Sequence, residues 1–240
     1  MTELIYQRNS YLRKFEATVS AVDNEKHAVL LDRTAFYPGG GGQPHDTGVL
    51  LWNDNSLPML RARKGAEGIW HEIDPAFPLP EQGAPVDGEL DWDRRYQLMR
   101  THTAMHILCG VVFRDYQAQV TGGDMEPLLG RMDFEFENLS RDLVGVIEAT
   151  VNKEVQANHP VRVQILSREK AFAIPDLIRT KINLLPPQIQ EVRVVELVGL
   201  DLQADGGTHV KATGEVGALK IVDYKSKGKI NKRIYLQLES

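Results

Sequence analysis

A single cysteine, Cys109, stands among 240 residues, which excludes an internal disulfide. No apolar run reaches the roughly eighteen residues that a membrane-crossing helix needs. No charged-then-apolar leader is present either, so the expected location is cytoplasmic and no membrane partner is expected. Positive charge is scarce: 28 Lys and Arg against 33 Asp and Glu leave a net of −5, unlike a typical nucleic-acid binder. Internal repeats and low-complexity segments are also missing. Gly39, Gly40, Gly41 and Gly42 lack the Lys-Ser/Thr of a phosphate loop and the G-x-G-x-x-G spacing of a dinucleotide fingerprint. What is present is 42% hydrophobic residues, enough for a real core, and length for one large domain or two small ones.

The patterning favours two. Short stretches at 16–22, 27–31, 48–52, 58–63 and 68–73 are separated by Gly, Pro, Asn and Asp, which predicts the strands of a small β-barrel. The proline-rich segment 75–85 reads as a surface loop leading to the last barrel strand, with a domain boundary near residue 90. Asp91-Trp92-Asp93 then offers capping carboxylates to a helix. Leu98, His102, Met105, Cys109, Val112 and Tyr116 follow at spacings of three and four, the stripe of a long helix. Thr121-Gly122-Gly123 reads as part of a polar loop and 131–136 as a strand. Ser140 caps a helix that stops at His159-Pro160. Strands at 161–166, 192–198, 218–224 and 233–238, with a short helix at 167–173, complete the pattern. The expected fold is α+β: a β-barrel domain over 1–90, then a mixed domain with antiparallel sheet over 91–240.

The chemistry concentrates in the second part. His102 and His106 lie four apart, so a helix projects both from one face, where two imidazoles can hold one cation. A helical histidine pair by itself reads equally well as hydrogen-bonded core residues. Asp205-Gly206-Gly207-Thr208-His209 adds a second group, because its two glycines oppose a helix and favour a tight loop. The two groups together read as one divided metal site; three protein ligands leave a position open for water or substrate, whereas four close it. The His-Glu-x-x-His motif of metalloproteases is excluded, since Thr103 occupies the glutamate position. Thr103 and Thr208, each beside a ligand, are candidate catalytic hydroxyls.

Charge is unevenly spread. Residues 1–90 hold eight basic and thirteen acidic side chains, while 211–233 hold seven basic and two acidic. Lys225, Lys227, Lys229, Lys232 and Arg233 at that basic end are candidate contacts to the phosphates of a nucleic-acid backbone, which give affinity without sequence discrimination. The same lysines could instead blunt an edge strand.

His-x-x-x-His followed far downstream by Gly-Gly-Thr-His resembles the editing domain of alanyl-tRNA synthetase and the free-standing AlaX-type trans-editing proteins. Thr34-Ala35-Phe36-Tyr37-Pro38-Gly39-Gly40-Gly41-Gly42-Gln43-Pro44, with Asp46-Thr47-Gly48, is similar to the glycine-rich signature of the longer members, so the chain looks like the medium-length type. The resemblance implies Zn2+ held by His102, His106, Asp205 and His209. It also implies that Gly39, Gly40, Gly41, Gly42 and Gln43 bind substrate, and that mischarged tRNA(Ala) is the partner. Ser-tRNA(Ala) is the expected substrate for ester hydrolysis, with Gly-tRNA(Ala) second. The chain departs from the family at Asp205, where a cysteine is usual. Asp205 could ligate directly or orient His209, and Cys109 is an alternative donor. Two rival functions are a nucleic-acid-binding module with a structural zinc and a metallohydrolase of small esters.

Overall fold

The computed structural model describes residues 1–179 and 189–240, and the chain divides into two units, Met1–Tyr96 and Gln97–Ser240. In the first, β1 (Glu3–Leu4) pairs in parallel with β4 (Arg33–Thr34). The remaining strands are β2 (Lys14–Asp23), β3 (Ala28–Leu31), β5 (Gly48–Trp52), β6 (Asn55–Lys64), β7 (Ile69–Ile73) and β8 (Pro85–Leu90). They close a barrel in the order β2-β3-β7-β6-β5-β8 with antiparallel pairing throughout.

Alternation along β2 explains the closure. Phe15, Ala17 and Val19 point inward and their neighbours outward, so one face of the strand can be buried only if the sheet curls around it. Leu31, Leu50, Leu57, Met59, Ile73 and Val86 fill the same core. His71 is buried there too, a polar residue among apolar ones. Its Nδ1 lies 3.3 Å from the Val29 carbonyl and its Nε2 2.9 Å from Thr34 Oγ1. A carbonyl only accepts, so Nδ1 carries the proton of the neutral ring and Nε2 accepts from the threonine hydroxyl.

The second unit is organised by α1 (Trp92–Tyr116), which starts in the first unit, where Asp91 Oδ1 accepts the Arg94 N–H at 3.2 Å. The expected stripe understates this helix, because every residue from Thr101 to Val112 is buried. It is a central helix, not an amphipathic one laid on a core. β9 (Val120–Glu126), β10 (Leu129–Glu135), β14 (Leu219–Ser226) and β15 (Asn231–Leu238) form a sheet in the order β14-β15-β10-β9. Thr121-Gly122-Gly123, expected as a loop, therefore lies inside β9, paired with β10 at Asp133↔Gly122 and Met132↔Gly123. Glycine is depleted in strands, and here the ladder to β10 overrides that local preference.

Between these strands come α2 (Arg141–Gln156), β11 (Val161–Ser167), α3 (Arg168–Phe172), β12 (Glu191–Leu197) and β13 (Asp201–Ala204). Ser140 caps α2 by accepting the Leu143 N–H. β11, β12 and β13 form a three-stranded antiparallel sheet. The molecule is α+β, as the sequence pattern implies. No helix among the described residues is long and apolar enough to cross a membrane.

Candidate metal centre

His102 and His106 project from the buried middle of α1, while Asp205 and His209 lie on the loop that follows β13. One ligand-type atom from each of the four falls within 4.8 Å of the others, so the cluster could hold a metal ion. The rings pack closely, with centroids 4.3 Å apart for His102 and His209, 4.7 Å for His106 and His209, and 5.1 Å for the helical pair. Asp205 Oδ2 is 2.9 Å from His209 Nε2, and Oδ1 is 3.5 Å from His102 Nε2. Tetrahedral coordination with bonds near 2.0–2.1 Å separates donor atoms by about 3.3 Å, so these spacings bracket what such an ion requires.

A surrounding layer holds the four side chains. Asp205 Oδ2 accepts the Gly207 N–H at 2.8 Å, and this side-chain-to-backbone bond shapes the loop. Thr103 Oγ1 accepts the Val210 N–H and sits 3.2 Å from His209 Nδ1, leaving Nε2 to face Asp205. Backbone of Thr208 hydrogen-bonds His102. Asp201 Oδ2 lies 3.2 Å from His106 Nδ1, with Gln203 Nε2 donating to it at 2.6 Å and Arg179 Nε to its other oxygen at 3.3 Å. The approach depends on Gly110, one turn beyond His106. A Cβ there would sit 3.0 Å from both Asp201 Cβ and Leu200 Cγ, tighter than nine in ten real Cβ contacts, so the neighbours would have to give way. Arg193 donates to the Asp205 carbonyl at 3.0 Å and lies 3.6 Å from its carboxylate.

Asp201 and Arg193 are functional-looking residues that sequence reasoning missed. Arg193 had a signal: it is a lone charge in Val192-Arg193-Val194-Val195, and a buried charge inside an apolar strand needs a partner.

Burial controls the protonation of the cluster. It pushes His102 down to about 4, against partial recovery from the Asp205 charge. His209 is pushed well below its ordinary value by burial and by His102. Burial alone would raise Asp205, but His102 and His209 overcome it and hold the carboxyl well below the usual range. Burial opposes the charged form of His106 as well, yet the Asp201 carboxylate close to its Nδ1 leaves its pKa raised. At neutral pH Asp205 is ionised and the His102 and His209 rings are neutral, as a cation requires, whereas Asp201 favours the charged form of His106, which must release its proton to ligate.

Cys109, the alternative donor, is not brought into the cluster; its sulfur accepts from Gln203 Nε2 at 3.3 Å, and burial raises the thiol pKa well above its ordinary value. At the basic end, Lys225 pairs with Asp223 at 3.0 Å, and Lys227 and Lys229 are exposed on the turn between β14 and β15. Lys232 and Arg233 are committed internally. Lys232 Nζ donates to the carbonyls of Gly228 and Lys229 at 2.7 and 2.9 Å, closing that turn, and Arg233 grips both oxygens of Asp133 at 2.6 and 2.7 Å. The glycine run belongs to the first unit and is ordered. Gly39, Gly40, Gly41 and Gly42 have φ of 82°, 133°, 59° and 86°, conformations that a side chain opposes. Gly40 and Gln43 exchange both backbone bonds at 3.0 Å, and Tyr37 Oη donates to the Gly40 carbonyl.

Both units have counterparts among aminoacyl-tRNA synthetases. Residues 5–94 match the family described as class II (A) tRNA synthetases, and residues 192–235 match the threonyl and alanyl tRNA synthetase second additional domain. These matches define the class as synthetase-related. The AlaX-M alanyl-tRNA editing protein of Methanosarcina acetivorans is 41% identical over 99% of each chain, and that of Saccharolobus solfataricus 39% over 98% of each. The alanine–tRNA ligase of Ignicoccus hospitalis is 36% identical across 92% of this chain, which spans 24% of the ligase. The chain belongs to the family of AlaX-M alanyl-tRNA editing proteins.

Proposed function

We propose that this protein is a trans-editing hydrolase that deacylates mischarged tRNA(Ala), Ser-tRNA(Ala) foremost and Gly-tRNA(Ala) second, with zinc at the His102, His106, Asp205 and His209 centre. One observation carries the reading. Two histidines of a helix and an Asp/His pair from a distant loop converge within 4.8 Å, in a chain about 40% identical over its whole length to proteins named for alanyl-tRNA editing. Three nitrogens and a carboxylate oxygen are a donor set that zinc accepts, and zinc supplies a Lewis acid to polarise an ester carbonyl. The protein's own contribution is preorganisation: two donors on a buried helix lose little freedom when the ion is taken up. Thr103 orients His209, and Thr208, buried beside its ligand neighbour in sequence, holds His102 through its backbone and is the second candidate hydroxyl. Gly39, Gly40, Gly41, Gly42 and Gln43 serve substrate binding, the glycines by letting backbone approach it closely. Lys225, Lys227 and Lys229 are the phosphate contacts of the basic turn, which Lys232 and Arg233 brace.

Serine is preferred on physical grounds. A site that hydrogen-bonds a substrate hydroxyl rejects the analogue lacking it by ~10⁴–10⁵ in the best cases, whereas an apolar pocket discriminates weakly. Deacylation assays with both charged tRNAs test the reading. Ser-tRNA(Ala) is expected to be hydrolysed, Ala-tRNA(Ala) spared, and His209→Ala inactive on either. Equal hydrolysis of both, or cleavage of small esters with Ser-tRNA(Ala) untouched, would refute it.

A further inference from the structure

Half of the ten Lys and Arg of the acidic first unit are neutralised in place by carboxylates. Arg33 pairs with Glu3 at 2.9 Å, Arg63 with Glu72 at 2.7 Å, Lys14 with Glu89, and Arg95 is sealed against Asp46. Arg61, Lys64 and Arg94 are different: among the described residues none of their side chains pairs with a carboxylate. Glu72, opposite Arg61 in the β6–β7 ladder, is taken by Arg63.

These unpaired cations gather around the glycine run. Arg94 Nη2 donates to the His45 carbonyl at 3.3 Å, and its Nε is buried without an acceptor. Lys64 Nζ stands 3.8 Å from where a Cβ of Gly40 would be, and His45 N stands 3.2 Å from that of Gly39. Arg61 acts on His45 as well: burial first, then Arg94 and Arg61, keeps that imidazole below its ordinary pKa. Gly40 and Gly41 are exposed, and the N–H groups of Gly41 and Gly42 donate to no backbone acceptor among the described residues. The Asp46 carboxylate, next in sequence to His45, is engaged by Arg95 and the Tyr37 N–H.

We propose that Arg61, Lys64, Arg94 and the backbone of Gly39, Gly40, Gly41 and Gly42 form a phosphate-binding site that takes a phosphodiester of an RNA backbone. The cations supply charge, the unsatisfied guanidinium Nε an orphan donor, and the glycines main-chain N–H groups unobstructed by side chains, a combination that suits an oxyanion with several acceptor oxygens. An acidic surface elsewhere on the unit repels RNA and leaves this patch as its point of approach. The inference rests on the reading of the chain as acting on tRNA, and adds a contact surface separate from the basic turn at Lys225, Lys227 and Lys229.

Anisotropy of dye-labelled, uncharged tRNA(Ala), titrated with the full chain over a range of KCl concentrations, tests it. Each lost phosphate contact flattens the slope of log affinity against log salt by about 0.7–0.9. Arg61→Gln with Lys64→Gln is expected to flatten it by about 1.5, and adding Arg94→Gln by about 2 in total. Arg61 and Lys64 are exposed, so the double variant keeps its fold, and its melting curve followed by tryptophan fluorescence is expected to match the parent. A slope unchanged in the double variant overturns the proposal. So does competition by inorganic phosphate beyond that of chloride at equal ionic strength, which would identify a site for free phosphate. Hydrolysis of Ser-tRNA(Ala) by the parent protein, measured alongside, reports on the proposed function independently: parent activity with an unchanged slope sinks this site alone.

Discussion

Asp205 is the residue on which the character of the centre turns. Its carboxylate touches His209, faces His102 and accepts the Gly207 N–H, so it pins its own loop and is placed where it could serve as a donor to an ion. A carboxylate is a harder donor than the cysteine usual in the family, and zinc favours thiolate. Asp205→Ala is expected to weaken zinc binding by tens-fold or more and Asp205→Cys to strengthen it above the parent, as read by competition with a chromophoric chelator. Parent-like affinity in Asp205→Ala would remove the carboxylate from the ligand set. His71 makes a different prediction. Burial lowers its pKa to about 4 from an ordinary 6.5, so between these values the unfolded chain binds a proton that the folded barrel does not. Stability is therefore present above the unfolded value and is lost as pH falls from 6.5 towards 4, by about 3 kcal/mol at most. Urea unfolding of the barrel at pH 7 and pH 5 measures the loss, and His71→Gln is expected to reduce that difference.

At the scale of elements, the glycine run is a built loop and not a slack one. Gly41, at φ 59°, lies in the left-handed region that other residues enter at modest cost, while Gly40, at φ 133°, lies where almost only glycine is found. Gly41→Ala should cost about 1 kcal/mol, and Gly40→Ala more, up to about 3. Urea midpoints of the two variants check this order, and equal midpoints would mean that the loop is free to rearrange. Gly110 plays the corresponding part in α1, where its missing side chain lets the Leu200–Asp201 turn reach the helix and set Asp201 against His106.

For the molecule as a whole, the two units offer separate optical reports. Trp52, Trp70 and Trp92, the three tryptophans, all belong to Met1–Tyr96, whereas the candidate metal centre and most of the helix belong to Gln97–Ser240. An ion that binds only the folded state stabilises it by about 2.7 kcal/mol at a hundred times its dissociation constant. Chelation is thus expected to lower the melting transition seen by helical circular dichroism and to leave that seen by tryptophan fluorescence in place. A joint shift of both transitions would show that the units unfold as one.

Alternation and turn residues were enough to make the barrel legible, because a strand of period two with one buried face has few ways to close. The His102–His106 pair and the Asp205–His209 pair were legible for a similar reason: spacing along a helix or across a tight turn is a local property. Thr121-Gly122-Gly123 was misread because glycine marks loops locally, while membership of β9 is conferred by β10. Asp201 and Arg193 could be assigned a purpose only once β12 and β13 were laid beside α1, since spacing along the chain carries nothing about which distant side chain a buried charge will meet. Chain periodicity thus determined the elements and the donors. Their convergence, the commitment of Lys232 and Arg233 to internal partners, and the exclusion of Cys109 were decided by tertiary packing, because a buried polar group takes its role from whatever the fold places against it.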